Sequence, residues 1–281
     1  MALQCTRWCG AIRAPDPLRW HEAGMRHPSP WGDGGRHLVG SDRFSVLLIG
    51  NSRWHWAAWR SGGWQFDHGA AELERLRRQP PDRWAAVGPV PSEADLDPAR
   101  QITVAEVPLQ ELPPWVGVDR ALAAWRAWRL IRASDAPGVL VADAGTVLSL
   151  TRVTAAGVFA GGQLAPGLAL QGRAMAQGTR DLPCPEPERV QHRDDPLFPR
   201  ETAAAMRRGA LQAAVGLLVE AHRCCSWPLW LCGGDAPQLL PHLQGRGVGV
   251  RHVPELVLEG LVTLPVGQGP LAIPWPPLRP A

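Results

Sequence analysis

Ser45-Val46-Leu47-Leu48-Ile49-Gly50-Asn51-Ser52-Arg53-Trp54-His55-Trp56-Ala57-Ala58-Trp59 is the stretch that decides how this chain folds. An apolar run of the buried-strand type, opened by Phe44, stops at a small polar turn and resumes as a second strand. Gly62-Gly63 then turns the chain into Trp64-Gln65-Phe66, which makes a β-meander. The same pattern returns in the middle of the chain. Val139-Leu140-Val141-Ala142 reads as a strand, Asp143-Ala144-Gly145-Thr146 as a turn, and Val147-Leu148-Ser149-Leu150-Thr151 as the returning strand. Gly157-Val158-Phe159-Ala160 is expected to pair back toward Gly161-Gly162.

Outward from these two series, a short helix is expected over Ala70 to Arg78 and a strand over Trp84 to Val87. Ala121 to Arg132 has helical spacing, and Pro166 is read as opening a helix that runs to Met175. Thr202 to Cys224 is the longest helix candidate. A strand at Leu229 to Cys232, a helix at Pro237 to Leu243, a strand at Val248 to Val253 and a helix at Glu255 to Leu261 complete the reading. The fold class is α/β, built from two similar halves, and a cleft between them is where a ligand is expected. The halves are placed at 44–136 and 137–268. Residues 1–43 read as a disordered extension rich in Pro and Gly, and 269–281 as a Pro-rich tail.

Composition removes several mechanisms. The 281 residues carry 29 basic side chains, every one an Arg, against 26 acidic ones, for a net charge of +3; there is no Tyr. Without Lys there is no Walker-type phosphate loop, no protein-kinase strand lysine and no Schiff base. The basic residues are scattered, so no nucleic-acid partner is expected. The six cysteines (Cys5, Cys9, Cys184, Cys224, Cys225 and Cys232) have no paired zinc spacing, and a reduced, cytoplasmic setting is expected. There is no apolar run long enough to span a membrane, and no membrane partner is expected.

Five short motifs carry the chemistry. Gly50-Asn51-Ser52 between strands exposes backbone N–H groups and a hydroxyl, which suits phosphate oxygens, although a plain hairpin turn would read the same. Asp143-Ala144-Gly145-Thr146 repeats that arrangement with a carboxylate added. Gly117-Val118-Asp119-Arg120 sits at a helix entrance, where Asp119 is either a cap or a base and Arg120 matches an oxyanion. Gly161-Gly162-Gln163-Leu164-Ala165-Pro166-Gly167 allows close backbone approach, and Gly233-Gly234-Asp235 suits a base lying flat on glycine backbone.

In this order, together with Glu201-Thr202 and His252-Val253-Pro254 followed by Glu259-Gly260-Leu261, these motifs resemble type III pantothenate kinase over roughly residues 44–265. The resemblance implies two ribonuclease-H-like halves of the actin-like, sugar-kinase-like ATPase type. It implies an enzyme that phosphorylates pantothenate to 4′-phosphopantothenate, the first step toward coenzyme A. ATP would be cradled by Leu48, Ile49, Gly50, Asn51, Ser52, Arg53, Trp54 and His55, with Thr146 binding from the other half. Pantothenate would be held by Gly117, Val118, Asp119 and Arg120, with Asp119 as catalytic base and Thr202 contributed across a homodimer interface. Asp143 would bind a monovalent cation, potassium or ammonium, and Mg²⁺ would accompany ATP. One position departs from the family pattern: Leu48 stands where an Asp usually helps hold Mg²⁺, and an aliphatic chain cannot ligate a hard cation. That departure keeps a second expectation open, a catalytically silent nucleotide-binding member of the superfamily. A kinase of another small hydroxyl substrate is a third.

Overall fold

The structure is a computed structural model that describes residues 44–60, 63–184 and 195–265. The expectations for 1–43 and for the Pro-rich tail from 269 fall outside the described residues. Strands β1 (Phe44–Ile49), β2 (Trp54–Arg60), β3 (Gly63–Gly69) and β4 (Arg83–Ala86) form a four-stranded sheet in the order β3-β2-β1-β4. Strands β5 (Gly138–Ala144), β6 (Val147–Thr154), β7 (Phe159–Pro166), β8 (Leu229–Cys232) and β9 (Val250–His252) form a five-stranded sheet in the order β7-β6-β5-β8-β9. In both, the first three strands form an antiparallel meander and the fourth runs parallel to the first. The first sheet has the rudiment of a fifth strand, a parallel bridge from Trp84 to Gln101. The ribonuclease-H-like arrangement therefore occurs twice.

The helices are α1 (Leu73–Arg78), α2 (Val118–Ile131), α3 (Leu168–Gly178), α4 (Thr202–Cys225), α5 (Ala236–Gln244) and α6 (Leu256–Thr263). Side chains that alternate along each strand sort them into layers. Phe44, Val46 and Leu48 of β1 and Val139 and Val141 of β5 join α2 and α6 in one central core. Leu47 and Ile49 turn the other way, into a cluster with Leu76 of α1, and Leu140, Ala142 and Ala144 turn toward α4 and α5. Both faces of both inner strands are thus covered. That is why Val46 to Ile49 of β1 and the start of β5 are continuous apolar runs without polar alternation.

The helix α6 returns to the first half, packing on α2 and β1. Arg126 of α2 donates from Nε to Glu259 Oε2 of α6 at 2.9 Å, a pair almost removed from solvent. The buried Arg83 at the start of β4 donates to the carbonyls of Val262 and Leu264, capping the end of α6.

Three local readings are corrected. Pro166 closes strand β7, and the helix starts at Leu168 with Gly167 as its N-cap; Pro tolerates a strand end whose N–H is not needed by the ladder. Asp143 and Ala144 belong to β5, so the turn is only Gly145-Thr146. Residues Phe159–Pro166 form one strand paired to β6, and Gly161 and Gly162 lie inside it instead of forming its partner.

Candidate active site

The parallel pairs β1/β4 and β5/β8 end on the same side of their sheets, and each delivers a turn to the cleft. The first turn is closed by the Gly50 N–H donating to the Arg53 carbonyl at 2.9 Å, leaving Asn51, Ser52 and Arg53 exposed. The second is closed by Gly145 N–H to the Val147 carbonyl at 3.3 Å. Across the cleft, Ser52 Oγ and Thr146 Oγ1 share a hydrogen bond of 2.7 Å, so the two turns meet at their hydroxyls. Glycine backs both of them. A Cβ on Gly88, just past β4, would stand 2.1 Å from the Gly50 carbonyl oxygen, and one on Gly167 would stand 2.0 Å from that of Gly145. Neither distance leaves room for a side chain, so backbone packs directly on backbone behind each turn.

Asp119 reaches this place from α2. Gly117 is the N-cap, and the Arg120 N–H donates to Asp119 Oδ1 at 2.6 Å. Asp119 is therefore not the cap, which is Gly117 and carries no side-chain bond; one of its carboxylate oxygens takes an N–H within the first turn of the helix. Burial raises the Asp119 carboxyl above the usual carboxylate range, against the backbone hydrogen bonds and Arg120, which lower it. Asp143, near the end of β5, lies on the same central face as Val139 and Val141 by strand alternation. Burial, reinforced by the negative charge of Asp119, pushes the Asp143 carboxyl up to about 7. The two carboxylates thus sense each other across the layer between α2 and the second sheet. Cys232, opposite Asp143 in the parallel register, lies against the Ala142 carbonyl at 3.6 Å, and burial raises its thiol.

Arg120 is more committed than its sequence position suggests. Its Nε donates to Thr151 Oγ1 at 2.6 Å and its Nη2 to the Leu150 carbonyl at 3.0 Å, with the guanidinium over the Phe159 ring. A Cβ on Gly162 would collide with this guanidinium, which gives that glycine a specific reason. Asp235, beyond β8, accepts the Leu168 N–H at Oδ2 and senses Arg53 from the opposite turn. Gly234 beside it is exposed with open space where a side chain would be. Thr202 stands apart. It is the exposed first residue of α4, whose N-cap Glu201 accepts the Ala203 and Ala204 N–H groups, and α4 packs against α3 and α5.

Of the candidate residues, Ser52 and Thr146 meet through their turns, and Asp119, with Arg120 beside it, lies close enough to Asp143 to raise its carboxyl; Ile49 and Trp54 pack with Leu47 and Leu76 on the opposite face of the first sheet, and Val118 is buried in the central core. Leu48 lies in the apolar central core and presents no ligand there. In the sequence the histidines, His55 included, show no ligand spacing, and His55 enters only as the last residue of the ATP-cradling stretch that the resemblance implies. The structure joins His55 Nδ1 to His68 Nδ1 at 2.9 Å, and His68 Nε2 to Glu255 Oε1 at 3.1 Å. The His55–His68 contact was implicit in the hairpin, since pairing Arg60 with Gly63 puts His55 opposite His68. Glu255 carries no such local signal.

A family model described as type III pantothenate kinase matches residues 99–223. A type III pantothenate kinase of Synechococcus sp. (strain JA-2-3B'a(2-13)) is 34% identical over 238 residues, covering 77% of this chain and 86% of the relative. Another, from Synechococcus sp. (strain JA-3-3Ab), is 33% identical over 246 residues, covering 79% and 91%. Among solved structures, one described as a conserved Baf family transcriptional activator from Campylobacter jejuni matches with a TM-score of 0.52 at 16% identity, covering 77% of this chain and 94% of that one. That structure shares the fold.

Proposed function

The chain belongs to the type III pantothenate kinase family, and we infer that it transfers the γ-phosphoryl group of ATP to the primary hydroxyl of pantothenate. The product is 4′-phosphopantothenate, committed to coenzyme A synthesis. The observation that carries this reading is the meeting of two glycine-backed turns at Ser52 and Thr146, 2.7 Å apart, with Asp119 close enough to Asp143, three residues before Thr146, for its charge to raise that carboxyl. A phosphate chain entering between the turns would exchange that hydroxyl pair for two donors to its own oxygens.

Asp119 takes the hydroxyl proton as the new O–P bond forms and the bond to ADP breaks; the proton then leaves to water. Its raised pKa helps, since a stronger base holds the proton better as transfer completes. Gly117, Val118 and Arg120 position pantothenate, and most of the remaining rate comes from orientation and neutralised charge. The fit of a monovalent cation rests on Asp143 beside Asp119, two acidic groups close enough for the charge of one to raise the other; Asp143 would hold it, and the ion would supply charge neutralisation. For Mg²⁺ the first strand does not fit: Leu48 provides no oxygen, so the ion enters on the ATP phosphates. Gly233-Gly234 offers a flat floor for the adenine. Thr202 on exposed α4 serves a homodimer, reaching the partner protomer's pantothenate. The reaction belongs in the cytoplasm; no described helix is long and apolar enough to cross a membrane.

A coupled ADP-release assay with ATP, Mg²⁺ and pantothenate, in sodium or in potassium, tests the reading. Pantothenate-dependent turnover that rises with potassium is expected. A folded protein without turnover in either salt would leave the silent nucleotide-binding alternative that Leu48 motivates.

A further inference from the structure

Leu48, His55 and His68 occupy one row across the first sheet: Leu48 pairs with His55 in β1/β2, and His55 with His68 in β2/β3. Directly opposed residues share a face, so this row points into the central layer beside the phosphate turn. Glu255, at the entrance to α6, completes the row through His68. The other end of the row is the turn itself, since His55 Nε2 lies 3.3 Å from where a Cβ on Gly50 would be. We propose that Glu255 and His68 are positioning residues that orient His55 so that its Nε2–H is presented to a phosphate oxygen of bound ATP. This contact acts beside the position where Leu48 offers no metal ligand. The proposal rests on the reading of Gly50 to His55 as the ATP turn.

Proton counting fixes the logic. The contact between the two Nδ1 atoms, 2.9 Å long, has room for one hydrogen. When His68 is an imidazolium, it donates Nε2–H to Glu255 and Nδ1–H to His55. His55 then accepts at Nδ1 and, being neutral, must carry its own proton on Nε2, facing the turn. When His68 is neutral, its single hydrogen stays on Nε2 for Glu255, so its Nδ1 becomes an acceptor. His55 must then donate from Nδ1, and its Nε2 offers a lone pair to the phosphate. The charge on His68 therefore decides whether the turn meets ATP with a donor or with a repelling acceptor.

The surroundings favour the donor state. The hydrogen bond and charge of Glu255 raise His68 above the ordinary histidine value, with Asp67 adding and Arg53 and burial opposing. Burial, His68 and Arg53 bring His55 down to about 4, against Glu255, so His55 is the neutral member. From α6 the facing charge is Glu255, because Glu259 is paired with Arg126. Glu255 Oε2 is buried with no hydrogen-bond partner, so His68 is the one side chain that hydrogen-bonds the carboxylate among the described residues.

The test measures KM for ATP, KM for pantothenate and kcat from pH 5.5 to 9 for the wild type, Glu255→Gln and His68→Phe. Comparing variant with wild type at each pH cancels the titration of the nucleotide. In the wild type, KM for ATP rises roughly tenfold as His68 loses its proton, the worth of about one hydrogen bond, while KM for pantothenate stays level. Glu255→Gln moves that rise to lower pH, and His68→Phe holds KM for ATP high at every pH. A purely structural row would change stability without moving the pH of the rise. A KM for ATP that is level with pH in the wild type and unchanged in Glu255→Gln would overturn the proposal. Nitrogen-15 NMR of the histidine rings, with and without a non-hydrolysable ATP analogue, reads the His55 tautomer without turnover. A protonated Nε2 that shifts on analogue binding supports the relay even if pantothenate proves not to be the acceptor. An unprotonated Nε2, or no shift in an analogue-bound protein, overturns it even in an active kinase.

Discussion

Asp119 sits in the first turn of α2, where the helix dipole favours a negative charge and burial opposes it. The balance leaves a carboxylate more basic than one in water. Asp119→Asn keeps size and the hydrogen bond to Arg120 N–H but cannot take a proton. Turnover is expected to fall on the order of 10²–10⁴-fold with KM for ATP little changed, read by steady-state kinetics. Asp143 makes a different statement at the same scale. Its folded pKa, about 7, is above its ordinary value, so the protonated form is the one the fold favours. The stability it contributes is complete at acid pH below its unfolded pKa and is lost as pH rises through about 7. In choline buffer the melting temperature should therefore fall between about pH 4 and pH 7 and level off above that. Potassium should offset that fall, and Asp143→Asn should flatten it, as scanning calorimetry would read.

At the scale of elements, the two turns owe their shape to glycines on neighbouring segments. Gly88→Ala and Gly167→Ala each force a methyl group to within about 2 Å of a turn carbonyl. The backbone must move, at a cost of roughly 1–3 kcal/mol. Both variants should melt earlier and show a raised KM for ATP with KM for pantothenate nearly kept. Equal damage to both KM values would mean that the turns do not serve the nucleotide. The turns themselves were legible in the sequence, because a glycine-containing break between apolar runs is a local signal. Pro166 was not, because Pro suits the first turn of a helix and the end of a strand equally well. Only the ladder to β6 decides between them.

For the whole molecule, the return of α6 to α2 ties the end of the chain to its middle. Arg126→Met leaves Glu259 buried without its partner, costing about 3–5 kcal/mol in urea unfolding at pH 8. The loss should shrink as pH falls, because burial raises the Glu259 carboxyl and so eases its protonation. The double variant Arg126→Met/Glu259→Met should recover most of the loss, because it removes both buried charges. If it unfolds as readily as the single variant, the pair is not what joins the helices.

The sequence by itself determined the doubled strand–turn–strand pattern, the glycine turns after β1 and β5, the all-Arg chemistry that excludes a Walker lysine, and the aliphatic Leu48 two residues before Gly50. These depend on residue identity and near neighbours. Only the tertiary structure decided that Asp119 and Asp143 share one layer, that Ser52 touches Thr146, and that Glu255 reaches His68 across 187 positions of sequence. Those contacts follow from strand register and from how helices pack between two sheets. No local periodicity encodes a distance between segments that meet only when the whole core closes.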